Sequence, residues 1–137
     1  MEAFMKKFDY LRPQTLEEAL SLLNQHGKKA KLIAGGTDVI VMIKQRAMMP
    51  EVLISLRGIP GLDQIQYDGT LRIGALVTHR DIEKSEVIRK EFSALTDAAD
   101  VLGSIQIRNV ATLGGNICTA APSADTAAPL LVLGALV

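Results

Sequence analysis

The sequence predicts a mixed chain of helices and short strands divided into two lobes, and three observations carry that reading. Over residues 31–55 an apolar strand-like run, a glycine turn, a helical run and a second strand-like run follow one another in a βαβ-like order. Ile59-Pro60-Gly61 then breaks the pattern and marks a boundary near 57–62, which separates a lobe of residues 1–60 from one of 61–137. Beyond the break, Gln64–Tyr67 and Leu71–Gly74 flank Asp68-Gly69, the signature of a hairpin with a two-residue turn, and helical patterns follow it.

Thr15-Leu16-Glu17-Glu18 fits the capping-box pattern, and Leu16, Ala19, Leu20 and Leu23 recur at helical spacing until Gly27. A helix over 15–26 results. A strand at Lys31–Ala34 feeds the first double-glycine run, Ala34-Gly35-Gly36-Thr37-Asp38, and a helix over 38–46 leaves it before a strand at Val52–Ser55. In the second lobe Thr78-x-x-Asp81 opens a short helix, and Phe92, Leu95, Ala98, Ala99 and Leu102 predict the main helix over 91–102, stopped by Gly103-Ser104. Ile105–Val110 then leads into the second double-glycine run, Thr112-Leu113-Gly114-Gly115-Asn116. Pro122 and Pro129 frame Asp125 in a segment expected to be ordered but without long secondary structure. Thr126–Val137 carries no charge, and its apolar run from Leu130 is expected in a core, either short of covering strands or as a helix docked inward.

The composition narrows the function classes. In 137 residues, 48% hydrophobic content supplies a core for one domain or two small lobes. Lys and Arg number 15 and Asp and Glu number 15, so no strong field recruits nucleic acid or an anionic membrane. A single cysteine, Cys118, excludes a disulfide framework and any Cys-x-x-Cys pair, and fits a reducing cytoplasm. No apolar run reaches about 18 residues, and neither an export signal nor a membrane span is expected.

Both double-glycine runs are candidate anion cradles, because glycine lets backbone N–H groups converge on a ligand with no Cβ in the way. The simpler alternative for each is a tight turn. Neither run reads Gly-x-Gly-x-x-Gly, and no Gly-x-x-x-x-Gly-Lys-[Ser/Thr] occurs, so the dinucleotide-Rossmann and P-loop motifs are excluded by spacing. Asp38 and Asp125 are either turn or cap residues or ligands of hydroxyl groups. His26 and His79, beside a helix end and a helix start, are expected to be exposed or capping, and Cys118 a small buried hydrophobe. No catalytic constellation emerges. Chemistry without a protein acid, base or metal cluster points to a bound cofactor, of nucleotide or dinucleotide size and anionic.

Three stretches resemble a known family: Leu32-Ile33-Ala34-Gly35-Gly36-Thr37-Asp38, Leu71-Arg72-Ile73-Gly74-Ala75-Leu76-Val77-Thr78-His79, and Gln106-Ile107-Arg108-Asn109-Val110-Ala111-Thr112-Leu113-Gly114-Gly115-Asn116-Ile117. Together with Pro122-Ser123-Ala124-Asp125 they resemble the FAD-binding medium subunit of molybdenum hydroxylases, a family that includes xanthine and aerobic carbon monoxide dehydrogenases. The resemblance runs from Tyr10 to the last residue. It implies an α+β, two-lobed FAD-binding domain of the flavin oxidoreductase (PCMH-like) type with an incomplete second lobe. It further implies that Leu32, Ile33, Ala34, Gly35, Gly36, Thr37, Asp38 and Val39 wrap the FAD diphosphate through main-chain amides. Thr112, Leu113, Gly114, Gly115 and Asn116 would approach the diphosphate from the other lobe, with Asp125 by the ribityl or flavin region and Leu102 packed near the cofactor. The implied partners are a small subunit with [2Fe-2S] clusters and a large molybdopterin subunit, the implied role electron relay from the clusters to NAD+ or another acceptor. Two alternatives stand beside it: a truncated, non-catalytic docking fragment, and a stand-alone flavin oxidoreductase of the same fold.

Overall fold

A computed structural model of the chain describes residues 5–137. Its internal contacts divide it into two units, Met1–Gly61 and Leu62–Val137.

The first unit is built on three parallel strands. β1 (Asp9–Leu11) and β2 (Ala30–Ile33) both pair with β3 (Val52–Ser55), giving the order β1-β3-β2. All four β3 residues are buried, whereas the middle of β2 is exposed. That difference follows from sequence: an uninterrupted Val-Leu-Ile-Ser run suits a central strand covered on both faces, and Lys31 suits an edge. Helix α1 (Leu16–His26) connects β1 to β2, capped by Thr15, whose hydroxyl accepts from the Glu18 N–H. Helix α2 (Val39–Lys44) connects β2 to β3 and packs Ile43, with Val39 and Ile40, on Ile33 and Leu53. The βαβ order read from the sequence is thus present twice, because β1, whose pattern carries no strong strand signal, joins the sheet through its register with Val52–Ile54.

The second unit begins with an antiparallel hairpin, β4 (Ile65–Tyr67) and β5 (Leu71–Ile73). Tyr67 pairs with Leu71, so the loop is Asp68-Gly69-Thr70 rather than the two-residue turn expected. Asp68 accounts for the longer loop: one carboxylate oxygen accepts from the Thr70 N–H and the other from Arg72, contacts that hold its carboxyl below the usual range. Gly74 follows β5, and a Cβ there would lie 2.2 Å from the Leu62 carbonyl oxygen, so only glycine lets the two segments meet.

Five helices complete the unit up to residue 119: α3 (His79–Lys84), α4 (Glu86–Glu91), α5 (Ser93–Val101), α6 (Ile105–Arg108) and α7 (Leu113–Thr119). Thr78 and Asp81 form both limbs of a capping box at α3, as the spacing predicts. The helix expected over 91–102 is present as α5 and starts after Phe92, whose backbone lies outside the helical region at φ −139° and whose ring meets Tyr67 edge to face at 5.8 Å. Ile105–Arg108 is a helical turn capped by Ser104. Val77, Ile82, Ile88, Leu95, Ala99 and Leu113 form the core.

The last helix, α8 (Ala127–Val132), starts inside the segment expected to be without long secondary structure and carries Pro129 within its first turn, where the missing N–H costs nothing. Leu130 packs against the core, but Leu131, Val132, Leu136 and Val137 are exposed, contrary to the expectation of burial for the apolar run. Cys118 is likewise exposed rather than buried. Among the described residues no helix is long and apolar enough to cross a membrane.

Candidate functional site

The first double-glycine run turns between β2 and α2. Gly36 takes φ +84°, and a Cβ there would sit 3.0 Å from Ile33 Cδ1, so the residue is glycine for its backbone and for the packing beneath it. The carbonyl of Gly36 accepts from the Ile40 N–H, the first bond of the helical turn. On one side of the loop Arg57 donates from Nε to the Ala34 carbonyl at 3.1 Å and from Nη2 to the Gly35 carbonyl at 3.3 Å. Among the described residues of the unit, no acceptor is paired with the N–H groups of Gly35, Gly36 or Thr37. Successive unused amides around a positive-φ glycine form an anion-binding concavity. Asp38 is exposed at the start of α2, and Leu32 presents its side chain outward while Ile33 is buried.

The second run has a different build. Gly114 and Gly115 lie in the first turn of α7 rather than in a loop, with Thr112 as the cap. The N–H of Leu113 donates to Val77 O, that of Gly114 to Ala75 O at 3.0 Å, that of Gly115 to Thr112 Oγ1 and that of Asn116 to Thr112 O. These amides are therefore occupied by the protein itself. A Cβ on Gly114 would fall 2.6 Å from Ala75 O and 2.8 Å from Ala75 Cβ, which explains that glycine by close backbone approach. The pairing joins the 74–79 and 111–116 stretches through a Thr78–Thr112 bridge and a bond from the His79 N–H to Ala111 O. The partly buried Asn116 side chain accepts through Oδ1 from the fully buried Thr126 hydroxyl, so that α7 and the Asp125 turn are tied together. Asp125 itself is exposed, and Leu102 is buried at the end of α5.

Three residues acquire roles that sequence reasoning did not assign. His79, expected to be exposed or capping, is completely buried, and neither ring nitrogen has a hydrogen-bond partner of normal geometry. Burial pushes its imidazole below the usual value, against weaker opposing pulls from the Thr112 backbone and the Asp125 carboxylate. Arg108 is buried, donates to the Leu102 and Gly103 carbonyls at 3.2 Å each, and faces Glu83. Glu83 is held below the usual carboxylate range first by its hydrogen bond from Arg80 and then by the charges of Arg80 and Arg108. Arg57 is the third. Its signal was available only through the register: Ile33 pairs with Ser55 in parallel, which carries residue 57 alongside the 34–35 carbonyls.

Residues 6–137 match the family described as the FAD binding domain in molybdopterin dehydrogenase. The chain belongs to this family. FAD is the family's cofactor, and the unused amides of Gly35–Thr37 fit an anionic group such as its diphosphate. The nicotinate dehydrogenase FAD-subunit of Eubacterium barkeri is 40% identical over 135 residues, 97% of this chain and 46% of that relative. The xanthine dehydrogenase FAD-binding subunit of Escherichia coli O157:H7 is 38% identical over 128 residues, 92% of this chain and 44% of the relative. Among solved structures, reconstituted CO dehydrogenase from Oligotropha carboxidovorans superimposes with a TM-score of 0.86 at 32% identity, covering 90% of this chain and 43% of that one. The chain thus spans less than half the length of the relatives it matches. The fold is α+β, as the sequence resemblance implies.

Proposed function

We propose that the chain is the FAD-diphosphate-binding part of the flavin subunit of a molybdenum hydroxylase. It would pass electrons from the [2Fe-2S] clusters of a small partner subunit, fed by a large molybdopterin subunit, to NAD+ or another acceptor in the cytoplasm. The observation that carries the reading is the set of amides at Gly35, Gly36 and Thr37 that meet no acceptor among the described residues of their unit, on the loop whose carbonyls Arg57 binds. When bound, FAD supplies a carrier that accepts and releases electrons singly or in pairs. This chain's residues bind and orient it. The Leu32–Val39 stretch holds the diphosphate through main-chain donors. Thr112–Asn116 contributes differently, since its amides are spent internally and the side of Gly114 that a Cβ would occupy is filled by Ala75: Gly115 and the Asn116 side chain would meet the cofactor from α7. Asp125, in the turn that the Thr126–Asn116 contact ties to α7, would accept from ribityl or ribose hydroxyls, and Leu102, buried at the end of α5, would pack near the cofactor.

Titration of the full chain with FAD, FMN and riboflavin, followed by flavin fluorescence, tests this reading. FAD is expected to bind at least about tenfold more tightly than riboflavin, because only the former carries the diphosphate the amides would hold. Equal affinity for FAD and riboflavin would remove the diphosphate from the site.

A further inference from the structure

We propose that Arg57 is a positioning residue that aims and strengthens the amide donors of the Gly35–Gly36 loop without touching the ligand. The inference rests on the reading of that loop as the diphosphate cradle.

In a trans peptide the carbonyl of one residue and the N–H of the next lie in one plane and point in opposite directions. The Ala34 carbonyl belongs to the same peptide group as the Gly35 N–H, and the Gly35 carbonyl to the same group as the Gly36 N–H. The Arg57 fork grips both carbonyls, at 3.1 and 3.3 Å, and so fixes two consecutive peptide planes at once. Their N–H ends are thereby turned away from Arg57, toward a side on which no described residue of the unit accepts from them. A loop centred on a glycine at φ +84° has little intrinsic preference for one orientation, so an external restraint on its peptide planes changes how much ordering the ligand must impose.

The same contacts polarise the peptides. A cation on a carbonyl oxygen draws electron density through the amide and makes its N–H a better donor, so the charge reaches the ligand through two peptide groups. Lysine would not substitute, since a single ammonium cannot span both carbonyls in a fixed plane.

Arg57 is itself held for this task. It occupies the second position of a turn from Leu56 to Ile59, closed by the Ile59 N–H on Leu56 O, with Gly58 at φ +95° and the buried Ile59 as its anchor. Its own N–H donates to the hydroxyl of the fully buried Ser55 at the end of the central strand. Arg57, itself exposed, therefore projects from the turn after β3 onto the loop that leaves β2.

The test compares wild type with Arg57→Lys and Arg57→Met in the full chain. Two measurements are made: affinity for FAD and for riboflavin, and residual dipolar couplings of the Gly35 and Gly36 N–H bonds in the ligand-free protein. Both variants are expected to lose about tenfold or more in FAD affinity with riboflavin affinity changed less than about twofold. The two glycine couplings should collapse toward averaged values while those of Val52–Ser55 stay as in wild type. Lysine restoring FAD affinity to within about twofold would mean that charge rather than the fork matters, and would overturn the proposal. Unchanged glycine couplings in both variants would overturn it as well. A wild-type chain that does not prefer FAD to riboflavin would instead sink the cradle reading, and the couplings would still decide whether Arg57 orients the loop.

Discussion

His79 shows at the scale of one residue how local pattern and tertiary environment part company. A histidine after a Thr cap at the start of a short helix reads as a surface residue, yet the bridge between Thr78 and Thr112 folds the 111–113 segment over it and removes it from water. With both ring nitrogens unpaired, the neutral form is the one the fold accommodates, and its folded-state value lies below 6.5. Below that value the unfolded chain binds the proton that the folded chain resists. Stability is thus full above pH 6.5 and is lost as the pH falls beneath it. The melting temperature of wild type is expected to drop by several degrees between about pH 7 and about pH 5.5, and that of His79→Leu by much less. Parallel pH profiles by circular dichroism would show that His79 is protonated freely in the folded state. Gly36 and Arg57 differ in the same way: the positive-φ glycine is legible from Gly-Gly after a strand, but the arginine that restrains it stands 22 residues from Gly35 and becomes visible only with the sheet register.

Elements whose signals are local were legible. The Thr15 cap, the strand Val52–Ser55 with its Val-Leu-Ile run and the Thr78–Asp81 capping box each depend on residues within four positions of one another, and the structure reproduces them. Elements decided by distant partners were not. Phe92 fits the apolar period of the following helix, but it stands between α4 and α5 outside the helical region, with its ring against Tyr67. The two glycine runs look alike in sequence, yet only the first keeps unused amides, since the second is consumed by Ala75, Val77 and its own Thr112 cap. That difference separates two kinds of glycine variant. In Gly114→Ala the new methyl meets backbone at 2.6 Å, and a loss of roughly 2–3 kcal/mol of stability is expected from overpacking, measurable by urea unfolding. Any loss of FAD in this variant should disappear under conditions where the chain is still folded, and a stable, folded Gly114→Ala chain that no longer binds FAD would place Gly114 on the cofactor instead.

For the whole molecule the balanced charge and the apolar surface pull in opposite directions. Fifteen cationic and fifteen acidic residues leave no net charge at neutral pH, the condition in which proteins associate most readily. Beside that, α8 and the residues after it expose Leu131 at 81%, Val132 at 84% and Leu136 at 99%. These side chains contribute nothing to the core, so charging them tests surface behaviour separately from folding. Leu131→Glu together with Leu136→Lys is expected to change unfolding free energy by no more than about 0.5 kcal/mol per site, as for ordinary surface positions. The same pair should markedly lower both dye binding to exposed apolar surface and sedimentation of associated species at neutral pH. The substitutions add one charge of each sign and leave net charge at zero, so a fall in association would be assigned to the apolar face and not to electrostatic repulsion. If instead the double variant unfolds at clearly lower urea concentration, then Leu131 or Leu136 is packed in solution against something that stabilises the fold, and the apolar run has a structural role of the kind its sequence first suggested.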